Sequence, residues 1–470
     1  MKHLLEASLQ VPRALLLGTL RTMAKLMRLL TFGRLKYSRS VEGNALYMSL
    51  GEKLWYGYKF YGNPIREPER GKNIREHFLN NPPEGFWDAN ASLGANTLHG
   101  ANATNASHGA NAVSCNEVSR ASVSNGANAA NTSNAAPKGL PSITIAFAGD
   151  ILPCPDFPQT PSGHLIEVIN FFKTADIRCA NLESPVLASK PICIPPEDIL
   201  APPDMNNSPE AIKYLLQGVS DGITIFSTAN NHAMDQGVEG VVATLDFLDE
   251  LGVLHVGTAR SSTERDALLI VEKRPCAGNF VARCEDSSPF RIAFLSWTFS
   301  LNCHSLPVDQ EYLANTLRLN LPGVDISPIA AQVREARRRG AEAVVLFLHW
   351  GLEDESFPLA SQIDTAHRLA ECGVDIICGN HPHALQPAER YVWQEKNSTD
   401  GFLRESLIIY ALGDFLTPQP HLGMSAISAT MEVTLVRRIL QPLHSNESFP
   451  RSDGRVVIYD VKTKQYDRSE

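Results

Sequence analysis

Residues 343–383 constrain this chain more than any other stretch, because two apolar runs there each break abruptly into histidine. The run 344–348 is short, apolar and β-branched at its start, which predicts a buried parallel strand. His349, Trp350 and Gly351 follow at once. Ser356 and Pro358 then open a helix with Ile363, Ala366 and Ala370 at helical spacing and Gly373 just past its end. The second run, 374–378, breaks into Gly379-Asn380-His381-Pro382-His383. Parallel strands joined by a helix point the same way, so His349, His381 and His383 are expected on one edge of one sheet. Open α/β sheets place their sites at that carboxyl edge.

The same rhythm runs through the preceding 200 residues or so, read in order of strand and terminal residue. Strand 143–148 ends in Gly149-Asp150, and strand 177–180 in Asn181-Leu182-Glu183-Ser184. Strand 223–227 ends in Ala229-Asn230-Asn231-His232-Ala233-Met234-Asp235. Helices are expected over 164–173, from Ser208-Pro209, and through Val238, Val241, Leu245 and Leu248, with a further strand at 253–256. Residues 267–296 read as antiparallel strands, and Ser327-Pro328 starts the helix that feeds the central stretch. Strand 407–412 ends in Gly413-Asp414-Phe415, and a final strand pair is expected over about 425–438. Strands alternating with helices define an α/β layered fold over residues 141–437, leaving 438–470 as a tail.

The first 140 residues are of another kind. Residues 1–40 carry eight basic side chains against the single acid Glu6, and the longest uncharged apolar stretch, 14–20, is far below the ~20 residues of a spanning helix. No small-residue cleavage site follows a compact apolar core, so a cleaved signal peptide is not expected. What remains is a basic amphipathic helix, lying on an anionic membrane surface or docked on the protein itself. Residues 41–87 are rich in aromatics and carry no legible motif, closing a first segment of 1–87. Residues 88–140 repeat Gly-Ala-Asn at 94–96, 100–102, 109–111 and 126–128. They bury too little to offset ordering entropy and read as a disordered linker. The Asn-x-Ser/Thr sequons at Asn90, Asn102 and Asn105 carry little weight without an export signal. A formal net charge of −9 argues against a general nucleic-acid binder. Nine scattered cysteines with no C-x-x-C pair favour reduced thiols in a cytoplasmic compartment, with the basic segment as a peripheral membrane contact.

Carboxylates, an Asn-His pair and histidines gathered on one edge suit a divalent ion, and imidazole mixed with carboxylate fits zinc, manganese or iron. Two ions sharing a bridging carboxylate would serve in-line attack on a phosphoryl centre. In that scheme Glu183 bridges, Asp150 is a terminal ligand, Asn231 ligates through its amide oxygen, and His349, His381 and His383 supply imidazoles. His232 would protonate a leaving group or hold a substrate oxygen. Each has a plainer alternative. Asp150 suits a helix N-cap, Glu183 a loop acid, and Asn230, Asn231 and Asp235 turn formers. Trp350 is expected in the pocket wall, Glu353 is either beside the site or solvated, and Asp414 is a turn residue or a further carboxylate near the ligands.

The series AGD (148–150), NLESP (181–185), ANNHAMDQG (229–237), LHWGLE (348–353), GNHPH (379–383) and YALGDF (410–415) closely resembles the CapA family of poly-γ-glutamate capsule biosynthesis proteins. That domain is related to calcineurin-like metallophosphoesterases. The resemblance implies a four-layer α/β/β/α sandwich, a hydrolase-like site holding one or two divalent ions, and an anionic polymer or phosphoester as partner. It places Asp150, Glu183, Asn231, His232, His349, His381 and His383 at that site. Related phosphoesterases carry Asp-x-His on the first strand, where this chain has Asp150-Ile151-Leu152, one ligand fewer. GDF stands where GNF is usual. Two functions therefore stand side by side: a metal-dependent hydrolase, and a non-catalytic polymer-binding component of a capsule assembly.

Overall fold

The computed structural model describes residues 141–467, apart from 155–162, 194–203, 218–221, 276–287, 303, 354, 395–402, 418–426 and 441–450. The basic segment 1–40, the aromatic segment 41–87 and the 88–140 linker lie outside the described residues.

The chain forms two sheets. The first is built from β1 (Ser142–Ile151), β2 (Ile177–Leu182), β3 (Ile223–Ser227) and β4 (Leu254–Val256), all parallel. It is joined by the late strands β11 (Asp414–Leu416), β12 (Ile427–Leu440) and β13 (Arg451–Asp467) in the order β13-β12-β1-β2-β3-β4, with β11 beside the end of β1. The second sheet has the order β5-β6-β7-β8-β10-β9. Its strands are β5 (Leu269–Lys273), β6 (Phe290–Thr298), β7 (Ala343–His349), β8 (Ile376–Asn380), β9 (Ala388–Gln394) and β10 (Leu403–Ile409). Here β6, β7, β8 and β10 are parallel, and antiparallel β5 and β9 close the two edges.

Side chains alternate along a strand, and that alternation builds the layers. Ile145, Phe147, Ile177 and Cys179 of the first sheet meet Phe294, Val345, Phe347, Ile376 and Cys378 of the second in one buried core. The rings of Phe147 and Phe347 stand 6.2 Å apart, and Ser227 and Ser296 share a hydroxyl hydrogen bond of 2.8 Å across the same gap. The opposite face of the first sheet, with Ala146, Ala180 and Phe226, packs on α1 (Gly163–Lys173), α2 (Pro209–Leu216) and α3 (Gly237–Glu250). A short helix, α4 (Ser262–Asp266), precedes the second sheet. The outer face of that sheet, with Val344, Leu346, Leu348 and Ile377, packs on α5 (Ser327–Arg338) and α6 (Ala360–Glu371). Helices, sheet, sheet and helices make the α/β/β/α sandwich. Each large core side chain contributes roughly 1.5–3 kcal/mol.

Three expectations are corrected. The histidine-bearing strands β7 and β8 are parallel neighbours in one sheet, as expected, but the strands leading to Asp150, Glu183 and Asn231 lie in the facing sheet, so the whole cluster is not gathered on one edge. Residues 407–412 are not one strand: β10 ends at Ile409, and the chain turns through Gly413 (φ 74°) into β11 of the other sheet. The stretch near 425–438 is one long strand, and its partner β13 comes from residues expected to be a tail beyond 437. As an edge strand, β13 mixes Val456, Ile458 and Val461 with Lys462 and Lys464, so its apolar signal is diluted. No helix among the described residues is long and apolar enough to cross a membrane.

Candidate metal centre

Asp150 reaches the space between the sheets through a β-bulge. Three steps along β1, from Phe147 to Asp150, stand against two along β2, from Cys179 to Asn181. One extra residue flips the parity, so Asp150 joins the inner face instead of following Ala146 and Ala148 outward. Gly149 sits inside the bulge, where a Cβ would lie 1.8 Å from the Gly413 carbonyl oxygen. That oxygen accepts from the Asp150 N–H at 3.1 Å. Asp150 is fully buried; Asn181 donates to Oδ1 at 2.7 Å and the His381 N–H to Oδ2 at 3.0 Å.

His349 follows from the same alternation. With Val345 and Phe347 inward, the residue two further on faces inward too. Its Nε2 stands 2.8 Å from Asn231 Oδ1 and 3.3 Å from Glu183 Oε1, while Asn181 Nδ2 lies 3.2 Å from Nδ1. By that same parity Trp350 turns outward. It lies fully buried beneath the outer helices, stacked on Tyr410 at 6.2 Å with its indole N–H donating to the Tyr410 carbonyl. The expectation that Trp350 lines the pocket is therefore wrong.

His381 and His383 leave the end of β8 with φ of 95° and 53°, left-handed values that swing both rings back toward the cleft. The His381 ring lies 4.9 Å from that of His349 and 4.6 Å from Phe299. His383 Nδ1 is 2.7 Å from Asp414 Oδ1, and its Nε2 is 3.7 Å from Glu183 Oε1. Asp414 is buried on β11 beside Asp150, so it is more than a turn residue. Glu183, His349 and His381 each bring a potential ligand atom within 4.8 Å of the others. Asp150, Glu183 and His383 do the same, as do Glu353, His381 and His383.

Beside these groups, His232 Nδ1 meets Asp235 Oδ2 at 2.6 Å. Asn230 donates to the Leu182 carbonyl and accepts from the His232 N–H, which fixes the loop. The structure thus brings every expected site residue together except Trp350. Asn181 and Asn302 were missed. Asn181 had a signal, since it lies two past inward-facing Cys179. Asn302 had none: it sits in a loop with φ 54°, accepting from Asn231 Nδ2 at 3.2 Å.

Burial dominates the electrostatics. It lifts the Glu183 carboxyl from an ordinary 4.5 to about 7, although His383 and His232 pull the other way. It raises Asp150 well above the usual carboxylate range, with Glu183 adding to the effect. His349 is held well below its ordinary value by burial and then by His383, so it is neutral and has a lone pair to give. Burial opposes charge on His232 and His383, but Asp235 and Asp414 respectively overcome it and raise both. Neither Glu183 oxygen has a hydrogen-bond partner among the described residues, although the side chain is fully buried. A bare buried carboxylate is costly unless it is protonated or coordinates a metal. With imidazoles at 3.3 and 3.7 Å, the residues fit a divalent ion.

Two facing sheets with a histidine, carboxylate and amide cluster at their carboxyl ends define an α/β/β/α sandwich with a candidate metal centre. The chain belongs to the bacterial capsule synthesis protein family PGA_cap, which residues 144–419 match. It is 28% identical over 251 residues to the PGA biosynthesis protein CapA of Bacillus subtilis, covering 53% of this chain and 55% of that protein. It is 24% identical over 291 residues to the capsule biosynthesis protein CapA of Bacillus anthracis, covering 59% and 60%. The match thus spans little more than half the length of these relatives. The NAD nucleotidase of Haemophilus influenzae is similar at a TM-score of 0.32 and 10% identity, over 67% of this chain and 49% of that one.

Proposed function

We propose that this chain acts in the synthesis of an anionic capsule polymer of the poly-γ-glutamate type, through a metal-dependent hydrolytic site. The observation that carries the reading is Glu183, a buried carboxylate without hydrogen-bond partners among the described residues and faced by two imidazoles. Asp150, Glu183 and His383 would hold one divalent ion, and Glu183, Asn231, His349 and His381 a second. Zinc, manganese or iron suits the donor set. Such an ion supplies Lewis acidity toward a phosphoryl or amide oxygen.

The chain's own groups do the rest. Asn181 donates to both Asp150 and His349 and so sets their relative orientation. Asp235 holds His232 through Nδ1, and Nε2, with Asn302 Nδ2 3.4 Å away, would give a proton to a leaving group. Asp414 steadies His383, and Phe299 walls the His381 ring. One observation favours the second, non-catalytic reading: Leu152, a buried apolar side chain, occupies the place where related phosphoesterases carry a ligating histidine. Metal-dependent polymer binding without turnover would mark that role.

Elemental analysis of purified protein beside the His349→Ala, His381→Ala double variant tests the centre. Stoichiometric zinc, manganese or iron lost from the variant is expected, with turnover of phosphoesters or γ-glutamyl polymers. No ion in the parent protein, even after reconstitution, would sink the hydrolase reading. The basic segment 1–40 is proposed as a peripheral contact with anionic membranes from a reducing compartment. Unchanged fractionation after its deletion would remove that element.

A further inference from the structure

Behind His232 lies a second group of ligand-type side chains, drawn from three separate segments. Asp235 belongs to the loop that precedes α3, and its side chain is only 1% exposed. Its Oδ2 is fully engaged, accepting from His232 Nδ1 at 2.6 Å and from the Met205 N–H at 2.7 Å. Its Oδ1 is buried and has no hydrogen-bond partner among the described residues. That oxygen faces His304 Nε2 at 3.7 Å, too long for a hydrogen bond. Asp204 Oδ1 stands 2.9 Å from the same nitrogen. Asp204 is exposed and His304 partly so, which opens the group to solvent.

We propose that Asp204, Asp235 and His304 form a separate cation site, taking a divalent transition ion of the zinc or manganese type. A hydrogen bond between His304 and Asp204 alone leaves the buried Asp235 Oδ1 unserved, whereas one cation among the three serves every atom. The three potential ligand atoms lie within 4.8 Å of one another. Ligands at 2.0–2.2 Å from a tetrahedral ion stand about 3.4 Å apart, and the two measured separations bracket that value. One imidazole with two carboxylates selects a borderline ion over magnesium or calcium. Solvent would complete the coordination on the Asp204 side. The site shares no ligand with the Glu183 centre and does not depend on that centre being catalytic.

Zinc titration of the chelator-treated full chain tests it, read by calorimetry and elemental analysis and compared with His304→Ala, Asp204→Asn and Glu183→Gln. The expected result is one zinc equivalent lost or bound at least tenfold more weakly in His304→Ala and Asp204→Asn, and retained in Glu183→Gln. Equal stoichiometry and affinity in the parent chain and in Asp204→Asn, an exposed change that leaves the core untouched, would overturn it. So would loss of the same equivalent in Glu183→Gln with retention in His304→Ala. Failure of the Glu183 centre reads differently: no equivalent would then be lost in Glu183→Gln.

Discussion

Asp150 Oδ2 accepts a hydrogen bond from the backbone N–H of His381 at 3.0 Å. A carboxylate on the first sheet thereby fixes the turn that carries two histidines off the second. The same side chain meets Asn181 through its other oxygen, and Asn181 in turn touches His349. The residue proposed as a ligand thus also sets the position of the groups around it.

Asp150→Asn should keep the acceptor for His381 while removing the charge. The protein should fold, and metal affinity in a chelator competition should fall by more than tenfold. Affinity equal to the parent's would take Asp150 out of the ligand set.

Glu183 ties stability to pH in the chelator-treated protein. Its folded value is about 7 against an ordinary 4.5, so between those values the folded state keeps a proton that the unfolded state has released. The stabilisation is full below the lower value and is lost as pH rises through the upper one. The Glu183→Gln variant cannot titrate there, so its stability relative to the parent should rise by about 3 kcal/mol between pH 4.5 and 7. Urea denaturation at several pH values measures it. Metal affinity of the parent should follow the opposite trend, strengthening toward pH 7 as the proton leaves.

Asp414→Ala should free the His383 ring and weaken metal binding roughly 10- to 100-fold, the usual cost of losing a residue that orients a ligand. Asp414→Asn, which keeps an oxygen toward Nδ1, should recover part of that loss. Identical affinities for all three proteins would show that Asp414 only serves the fold.

Trp350→Phe tests the outward placement of that side chain. Loss of the indole and its hydrogen bond to the Tyr410 carbonyl should cost about 1–3 kcal/mol on denaturation. Metal content should stay at the parent level. A variant of normal stability that loses its metal would return Trp350 to the cleft.

Gly149→Ala would drive a methyl group into the Gly413 carbonyl, 1.8 Å from the ideal Cβ position. The two backbones must separate, so the bulge at Asp150 should be lost, with destabilisation above about 3 kcal/mol and loss of metal. Thermal melts and elemental analysis read both.

Most of the central strands and their terminal residues were legible because buried strands announce themselves as apolar runs and break sharply into polar chemistry. Apolar periodicity says nothing about which sheet a strand joins. The resemblance to a known family, not the pattern, carried the second sheet. Trp350 was misplaced although strand parity from Phe347 fixed it. Asp414 was undervalued because its neighbour Asp150 is 264 positions away, a pairing set by the crossover at Gly413. Strand β13 escaped because one of its faces is wet, and Asn302 because irregular loops carry no period.

The bond between Asp150 and His381 joins residues 231 positions apart. A contact of that span forms only after the intervening chain has been gathered, and its closure cost is among the last to be repaid as a chain folds. During synthesis Asp150 and Glu183 emerge long before the histidines, and Asp414 follows later still. For that interval the acids stand without the second half of their cleft. The cleft is complete only when the second sheet closes over the first, so any ion it takes would be captured at the end of folding and not at its beginning.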